Sequence, residues 1–337
     1  MLITKIYQLN EIAQAANELR LGELIAFPTE TVYGLGADAT NEKAVKRVYQ
    51  AKGRPSDNPL IVTVCDRQMV IEYTGELSKQ ASALMDAFWP GPLTLILKIK
   101  PNALPSVVTG GLKTAAFRMP QNQATLELIR QAQVPLVGPS ANSSGKPSPT
   151  TAQHVFHDLE GKIAGILDDG PTQVGVESTI LDLSTETPTV LRPGAISPKQ
   201  IEAILKTDVL YDNHQVKQQE VPKAPGMKYK HYAPDAQVII VNETSWPAAL
   251  AWAKQQVEAV GIMATTDILN ELETTKLTYC LGDDVVSASQ KLFDGLRYFD
   301  EQPAVKYILV QGFAEEDLGA AYMNRLKKAA GNTFFDK

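Results

Sequence analysis

Short apolar runs alternate with amphipathic stretches along nearly the whole chain, and that alternation admits few folds other than helices packed on a sheet. Up to residue 205, Glu23–Phe27, Leu60–Cys65, Leu93–Ile99, Val134–Val137 and Ser178–Leu183 read as strands. Residues near 10–21, 41–51, 78–88, 122–132 and 197–205 read as helices. Asn10 and Ser197 stand where N-caps are expected, and Pro198 occupies a first turn, where proline is tolerated. The rhythm breaks over 207–235, a polar stretch that ends in VPKAPGMKYKHYAP, with three prolines around a Lys/Tyr/His cluster. It then resumes with strands at Val238–Val241, Ala259–Met263, Leu277–Leu281 and Tyr307–Val310, and helices at 246–258, 285–300 and 315–329. The chain reads as α/β in three parts: a domain over 1–206, a linker over 207–235, and a smaller Rossmann-like α/β domain with a parallel sheet over 236–337. At 337 residues, two domains are the ordinary expectation. The second part has no G-x-G-x-x-G, so dinucleotide binding there has no support.

Composition narrows the functional classes. Charged residues make up 21% and the net charge is −6, which argues against a whole-protein electrostatic grip on nucleic acid. Residues 1–205 carry 18 Lys+Arg against 20 Asp+Glu, and residues 206–337 carry 14 against 18, so neither part is basic. An anionic ligand would need a local concentration of cations. The N-terminus lacks the pattern of a leader, and no stretch is long and apolar enough to span a bilayer. The two cysteines, Cys65 and Cys280, are far apart and read as two buried small side chains in a reducing cytoplasm.

Five segments stand out chemically. Phe27–Gly36 (FPTETVYGLG) follows a strand and can present hydroxyls and backbone N–H groups to a small ligand, or serve as a capped turn. Lys52–Leu60 (KGRPSDNPL) places two cations one glycine apart and locks them with prolines, which suits an anion clamp better than a solvated pair. It lacks the glycine spacing of a Walker P-loop. Thr109–Pro120 carries Arg118 in apolar surroundings, where it needs an anionic partner, either a ligand carboxylate or a structural Asp or Glu. Pro139–Thr150 (PSANSSGKPSPT) is dense in hydroxyls and could wrap a nucleotide through Ser140, Asn142 and Ser148. Gly175–Ile180 leads into Leu191–Ala195, where Arg192 is a fourth candidate cation.

Other constellations carry less. His154 and His157 lie three apart on a helix without a third ligand, so no metal site is assigned. There is no G-x-S-x-G elbow, and Asp168-Asp169-Gly170 reads as a solvated turn.

Taken in order, PTETVYGLG (28–36), KGRP...NPL (52–60), WPGPLT (89–94), RMP (118–120), PSAN.SG.PSPT (139–150), VEST (176–179) and LRPG (191–194) resemble the YrdC-like family, and specifically the long-form threonylcarbamoyl-AMP synthases. KYKHYAP (228–234) and GAAYMNRLKKAA (319–330) resemble the linker and closing helix of that form. The resemblance implies an open, twisted α/β sheet with a concave, cation-lined cleft. It implies a nucleotidyltransferase that condenses L-threonine, bicarbonate and ATP to threonylcarbamoyl-adenylate and pyrophosphate. The product serves threonylcarbamoyladenosine formation in tRNA through a downstream transferase. By family position, Thr31, Thr63, Arg118, Gly138 and Ser178 form the threonine pocket, although the family often has histidine where Thr63 stands. Arg54, Asn58, Thr114, Ser140, Ser148, Arg192 and Tyr232 form the ATP site. Lys52 and Arg54 are the catalytic cations, Mg²⁺ arrives with ATP, and no dedicated metal ligand is implied. Segment 222–234, with Lys228, Lys230, His231 and Tyr232, could close as a lid that protects a carbamate from water.

Two rival functions remain at this level. A non-catalytic RNA-binding module with weak RNA contact is disfavoured by the acidic balance and the lack of interleaved aromatic and basic residues. Carbamoyl transfer to another acceptor is disfavoured because nothing resembles the zinc-finger and acylphosphatase-like parts that accompany such domains.

Overall fold

A computed structural model describes residues 2–56, 58–212, 222–223, 232–272 and 277–335. The chain divides into two compact units. The first comprises Met1–Ser144, Pro149–Gln173 and Glu177–Lys228; the second comprises Gly145–Ser148, Val174–Val176 and Tyr229–Lys337. Two short stretches that precede the linker in sequence thus belong to the second unit.

The first unit is built on a mixed sheet of eleven strands. In chain order these are β1 (Lys5–Tyr7), β2 (Ile25–Phe27), β3 (Gly34–Asp38), β4 (Ile61–Thr63), β5 (Leu93–Lys98), β6 (Thr114–Arg118), β7 (Leu136–Val137), β8 (Gly165–Leu167), β9 (Thr179–Asp182), β10 (Thr189–Arg192) and β11 (Leu210–Tyr211). Their spatial order is β1-β8-β2-β3-β7-β4-β6-β5-β9-β10-β11. Because side chains alternate across a strand, Leu24 and Ala26 join one core cluster while Ile25 and Phe27 join another on the opposite face. β5 buries its first five residues, as a strand covered on both sides should.

β1, β3, β6, β8, β10 and β11 go beyond the strands read from sequence. β3 (GLGAD) is rich in Gly and Ala, which have little strand preference of their own, β6 (TAAFR) holds two alanines, and both strands are held by neighbours on either side. The helix over Ile12–Arg20 corrects another reading: Asn10 is not its cap. The chain turns earlier, in a 3₁₀ turn at Leu9–Glu11, where Gln8 N–H donates to Glu11 Oε2 at 3.0 Å. Ser197 does cap the helix Pro198–Leu205, in a reciprocal pair with Gln200.

The second unit carries β12 (Gln237–Val241), β13 (Ala259–Ala264), β14 (Thr278–Cys280) and β15 (Val305–Gln311). They form an all-parallel sheet in the order β12-β15-β13-β14, as the alternation implied. Its helix Leu318–Ala330 ends on Gly331 in the left-handed region. Cys65 is buried, but Cys280 is exposed, against expectation, because it lies on the edge strand β14. Among the described residues, no helix is long and apolar enough to cross a membrane. Of segment 222–234, residues 224–231, including Lys228, Lys230 and His231, lie outside the described residues.

Candidate functional site

Parallel pairing of β4 with β6 brings Thr63 opposite Arg118 at their carboxyl ends. β7 runs antiparallel to β4, and just beyond it Gly138 N–H donates to Ile61 O at 2.9 Å. Phe27, Ile61, Thr63, Arg118, Pro120 and Gly138 line a narrow pocket here. The bareness of Gly138 is required: a Cβ would lie 2.6 Å from Thr63 Oγ1 and 3.0 Å from the Phe27 ring. Gly34, opposite Phe27, is equally constrained, since a Cβ there would sit 2.7 Å from the same ring. Two glycines therefore leave room for an aromatic floor.

Arg118 forms the polar wall. Its Nε donates to Gly91 O at 3.3 Å and its Nη1 to Thr31 Oγ1 at 2.9 Å, while Nη2 lies 2.8 Å from Glu30 Oε1. The alternative left open by the sequence is thus answered in part: the arginine has a structural carboxylate, Glu30. Thr31 is held in turn by Thr29, whose Oγ1 lies 2.9 Å away and accepts from the N–H groups of Thr31 and Val32. Thr29 is a turn-forming residue that the sequence did not single out, although its spacing is that of a Ser/Thr turn.

Lys52 ends the helix Glu42–Lys52, which Asn41 caps and Gly53 terminates with φ of 64°. Its buried ammonium donates to Ser140 O, to Asn142 O at 2.7 Å and to Asn142 Oδ1 at 3.4 Å. Ser140 Oγ also donates to Asn142 Oδ1, at 2.6 Å. Asp158, which sequence reading passed over, fixes the next residue by accepting from Ser143 N–H at 2.9 Å. The lysine and the hydroxyl-rich loop are therefore one assembly.

Arg54 follows directly and donates to Pro59 O at 3.4 Å. Tyr49 Oη lies 3.0 Å from Asn58 O. Asn58 is only 1% exposed, yet neither its Oδ1 nor its Nδ2 has a hydrogen-bond partner. Buried amides are nearly always paired, so this one points to a polar ligand.

Arg192, at the end of β10, donates from Nε to Ser178 O at 3.0 Å and from Nη2 to Ser178 Oγ at 3.1 Å. Ser178 Oγ also meets Thr94 Oγ1 at 2.8 Å. Thr114 starts β6 and Arg118 ends it, about 13 Å apart along the strand, so the structure does not bring these two together. Ser148 and Tyr232 fall in the second unit, Ser148 fully buried and Tyr232 against Phe293 with ring centroids 5.0 Å apart.

His154 Nδ1 accepts from Thr150 N–H at 3.2 Å, and His157 Nδ1 lies 3.0 Å from Asp158, so each has a local partner. Among the described residues, no group of three or more His, Cys, Asp or Glu could hold a metal. Asp168 is less solvated than expected: its Oδ1 accepts from Gly170 N–H at 3.0 Å and lies 3.2 Å from the Tyr33 hydroxyl. Burial pushes the pKa of that hydroxyl well up.

The family described as Telomere recombination, grouping Sua5, YciO and YrdC, matches residues 17–194. The family described as Threonylcarbamoyl-AMP synthase, C-terminal domain, matches residues 196–331. The chain is 47% identical to threonylcarbamoyl-AMP synthase of Bacillus subtilis (strain 168), covering 95% of this chain and 93% of the relative. It is 44% identical to threonylcarbamoyl-AMP synthase of Pyrococcus abyssi, covering 95% and 94%. A crystal structure of P. abyssi Sua5 complexed with L-threonine superimposes with a TM-score of 0.90 at 41% identity, over 99% of both chains. The order of the motifs, the two matched domains and identity along nearly the whole length agree, and the chain belongs to the two-domain threonylcarbamoyl-AMP synthase family.

Proposed function

We propose that this chain is an L-threonylcarbamoyladenylate synthase, a nucleotidyltransferase that condenses L-threonine, bicarbonate and ATP. The observation that carries the reading is the Asn58 carboxamide of the first unit, 1% exposed with neither its Oδ1 nor its Nδ2 hydrogen-bonded. A buried donor left unsatisfied costs about 1–3 kcal/mol, and a polar ligand removes that cost. In this reading Arg118 takes the threonine carboxylate, with Thr31 steadying the guanidinium and Thr63, Gly138 and Ser178 shaping the pocket.

Threonine's amine captures bicarbonate as a carbamate, with loss of water. A carbamate oxygen attacks the α-phosphorus of ATP, and pyrophosphate leaves with the electron pair of the broken P–O bond. Such chemistry is mainly positioning and stabilisation of developing charge. Arg54 and Arg192 clamp phosphates and Asn58 contacts the nucleotide. Lys52 holds the Ser140–Asn142 loop in shape while placing a positive charge beside it. Mg²⁺ enters as part of the ATP substrate and retains much of its water. The adenylate is then the carbamoyl donor for a downstream tRNA transferase.

The test is pyrophosphate release with ATP, Mg²⁺, bicarbonate and L-threonine, each omitted in turn. Release should require both threonine and bicarbonate and be lost in Arg54→Ala. Threonine-independent release would mean a different acceptor.

A further inference from the structure

Arg118 is 8% exposed and Glu30 4%, and they meet 88 positions apart in sequence. Glu30 is itself fixed, since its Oε2 accepts from Gln121 N–H at 3.1 Å. Its other oxygen lies 2.8 Å from Arg118 Nη2, but off the hydrogen-bond axis, so neither Oε1 nor Nη2 has an aligned partner. The carboxylate neutralises the guanidinium without capturing the direction of the Nη2 hydrogens. Among the described residues that line the pocket, Arg118 and Thr29 are present and Glu30 is not.

We propose that Glu30 is a positioning residue for threonine recognition, acting through Arg118. A buried guanidinium without a counter-charge is strongly disfavoured and would tilt toward solvent whenever the pocket held no anion. Glu30 removes that tendency. Gly91 O, Thr31 Oγ1 and Glu30 Oε1 meet three different nitrogens of the guanidinium, so its orientation at the pocket depends on all three. The ligand class follows from the charge balance. The Arg118–Glu30 pair is neutral, so the pocket favours an amino acid whose carboxylate makes directed hydrogen bonds over a free inorganic anion, which charge alone would attract. The inference rests on the assignment of Arg118 to the threonine carboxylate.

Glu30→Gln separates the possibilities by sign. Loss of positioning should raise KM for threonine at least tenfold, leaving kcat within about threefold and KM for ATP within twofold. If Glu30 acted only as a nearby negative charge, its removal would relieve repulsion and lower KM for threonine, overturning the proposal. An unchanged KM, or a joint collapse of kcat, both KM values and Tm, would overturn it as well. Glu30→Asp keeps the charge and should recover part of the threonine affinity, which a purely structural role does not require. In an Arg118→Lys background, Glu30→Gln should add less than twofold to the loss. Arg118→Lys must itself raise KM for threonine; if it does not, the carboxylate assignment falls and takes Glu30 with it. A large effect of Arg118→Lys with none from Glu30→Gln would overturn the Glu30 proposal alone.

Discussion

The two units differ in where their buried polar side chains find partners. In the second, Gln311, Ser289 and Tyr322 close onto the unit's own backbone, while Trp246 Nε1 and Arg297 Nε are buried without a hydrogen-bond partner. Gln311 Oε1 accepts from Thr265 N–H at 2.7 Å, Ser289 Oγ donates to Val285 O at 2.7 Å, and the Tyr322 hydroxyl donates to Gln311 O at 2.8 Å. In the first, Asn58 and the facing atoms of Arg118 and Glu30 are as deeply buried but lack aligned partners. Nature seldom leaves such groups unpaired unless something outside the fold completes them. The closed groups of the second unit serve structure, whereas Asn58 and Arg118 belong to the ligand site proposed above.

Variants can break or sharpen that contrast. The largest effect belongs to Lys52→Ala, which removes charged hydrogen bonds to two carbonyls of one loop. At roughly 1.5–3 kcal/mol each, their loss should lower kcat/KM at least about a hundredfold in the pyrophosphate assay. Next is Gly138→Ala, whose Cβ would meet Thr63 Oγ1 at 2.6 Å. KM for threonine should rise about tenfold, and Thr63→Ala in the same chain should restore part of it, as read by calorimetry of threonine binding. Asn58→Leu addresses the contrast most directly. If its amide serves ATP, KM for ATP rises about tenfold while Tm holds or increases, because an unpaired buried amide has been removed. A fall in Tm with unchanged KM would return Asn58 to the structural class. In the second unit the expected order reverses: Gln311→Ala should destabilise by about 1–3 kcal/mol in urea titration and leave both KM values within twofold. The smallest effect is chemical. Burial and the neighbouring Asp66 raise the Cys65 pKa to about 11, so at pH 8 a thiol reagent should label exposed Cys280 and reach Cys65 only on unfolding.

The parts of the architecture that were legible have local signals. The Ser197 cap and Pro198 need only neighbouring residues, and the parallel sheet of the second unit follows from alternating elements. Asn10 misled because the competing Gln8–Glu11 turn is equally polar. Strands β3 and β6 escaped because their Gly and Ala residues become strand residues only through pairing with distant neighbours. The same distinction governs the site. Its cations were visible from their proline frames, whereas their partners were not. Glu30 beside Arg118, Ser140 beside Lys52 and Thr94 beside Ser178 are each joined across more than eighty positions by the tertiary fold.

Finally, Gly145–Ser148 and Val174–Val176 are members of the second unit although both precede the linker. Gly145 O accepts from Ala233 N–H at 3.0 Å, Lys146 pairs with Asp235 at 2.7 Å and Asp300 at 3.1 Å, and Pro147 O accepts from Arg297 at 2.5 Å. Gly175 tolerates no side chain, since a Cβ would fall 2.3 Å from Ser289 O. The chain is therefore interleaved, and no single scission separates it into its two bodies. Recombining the two halves of different relatives at the linker would pair these seven residues with foreign partners, so a working chimera must carry them over together with the C-terminal half.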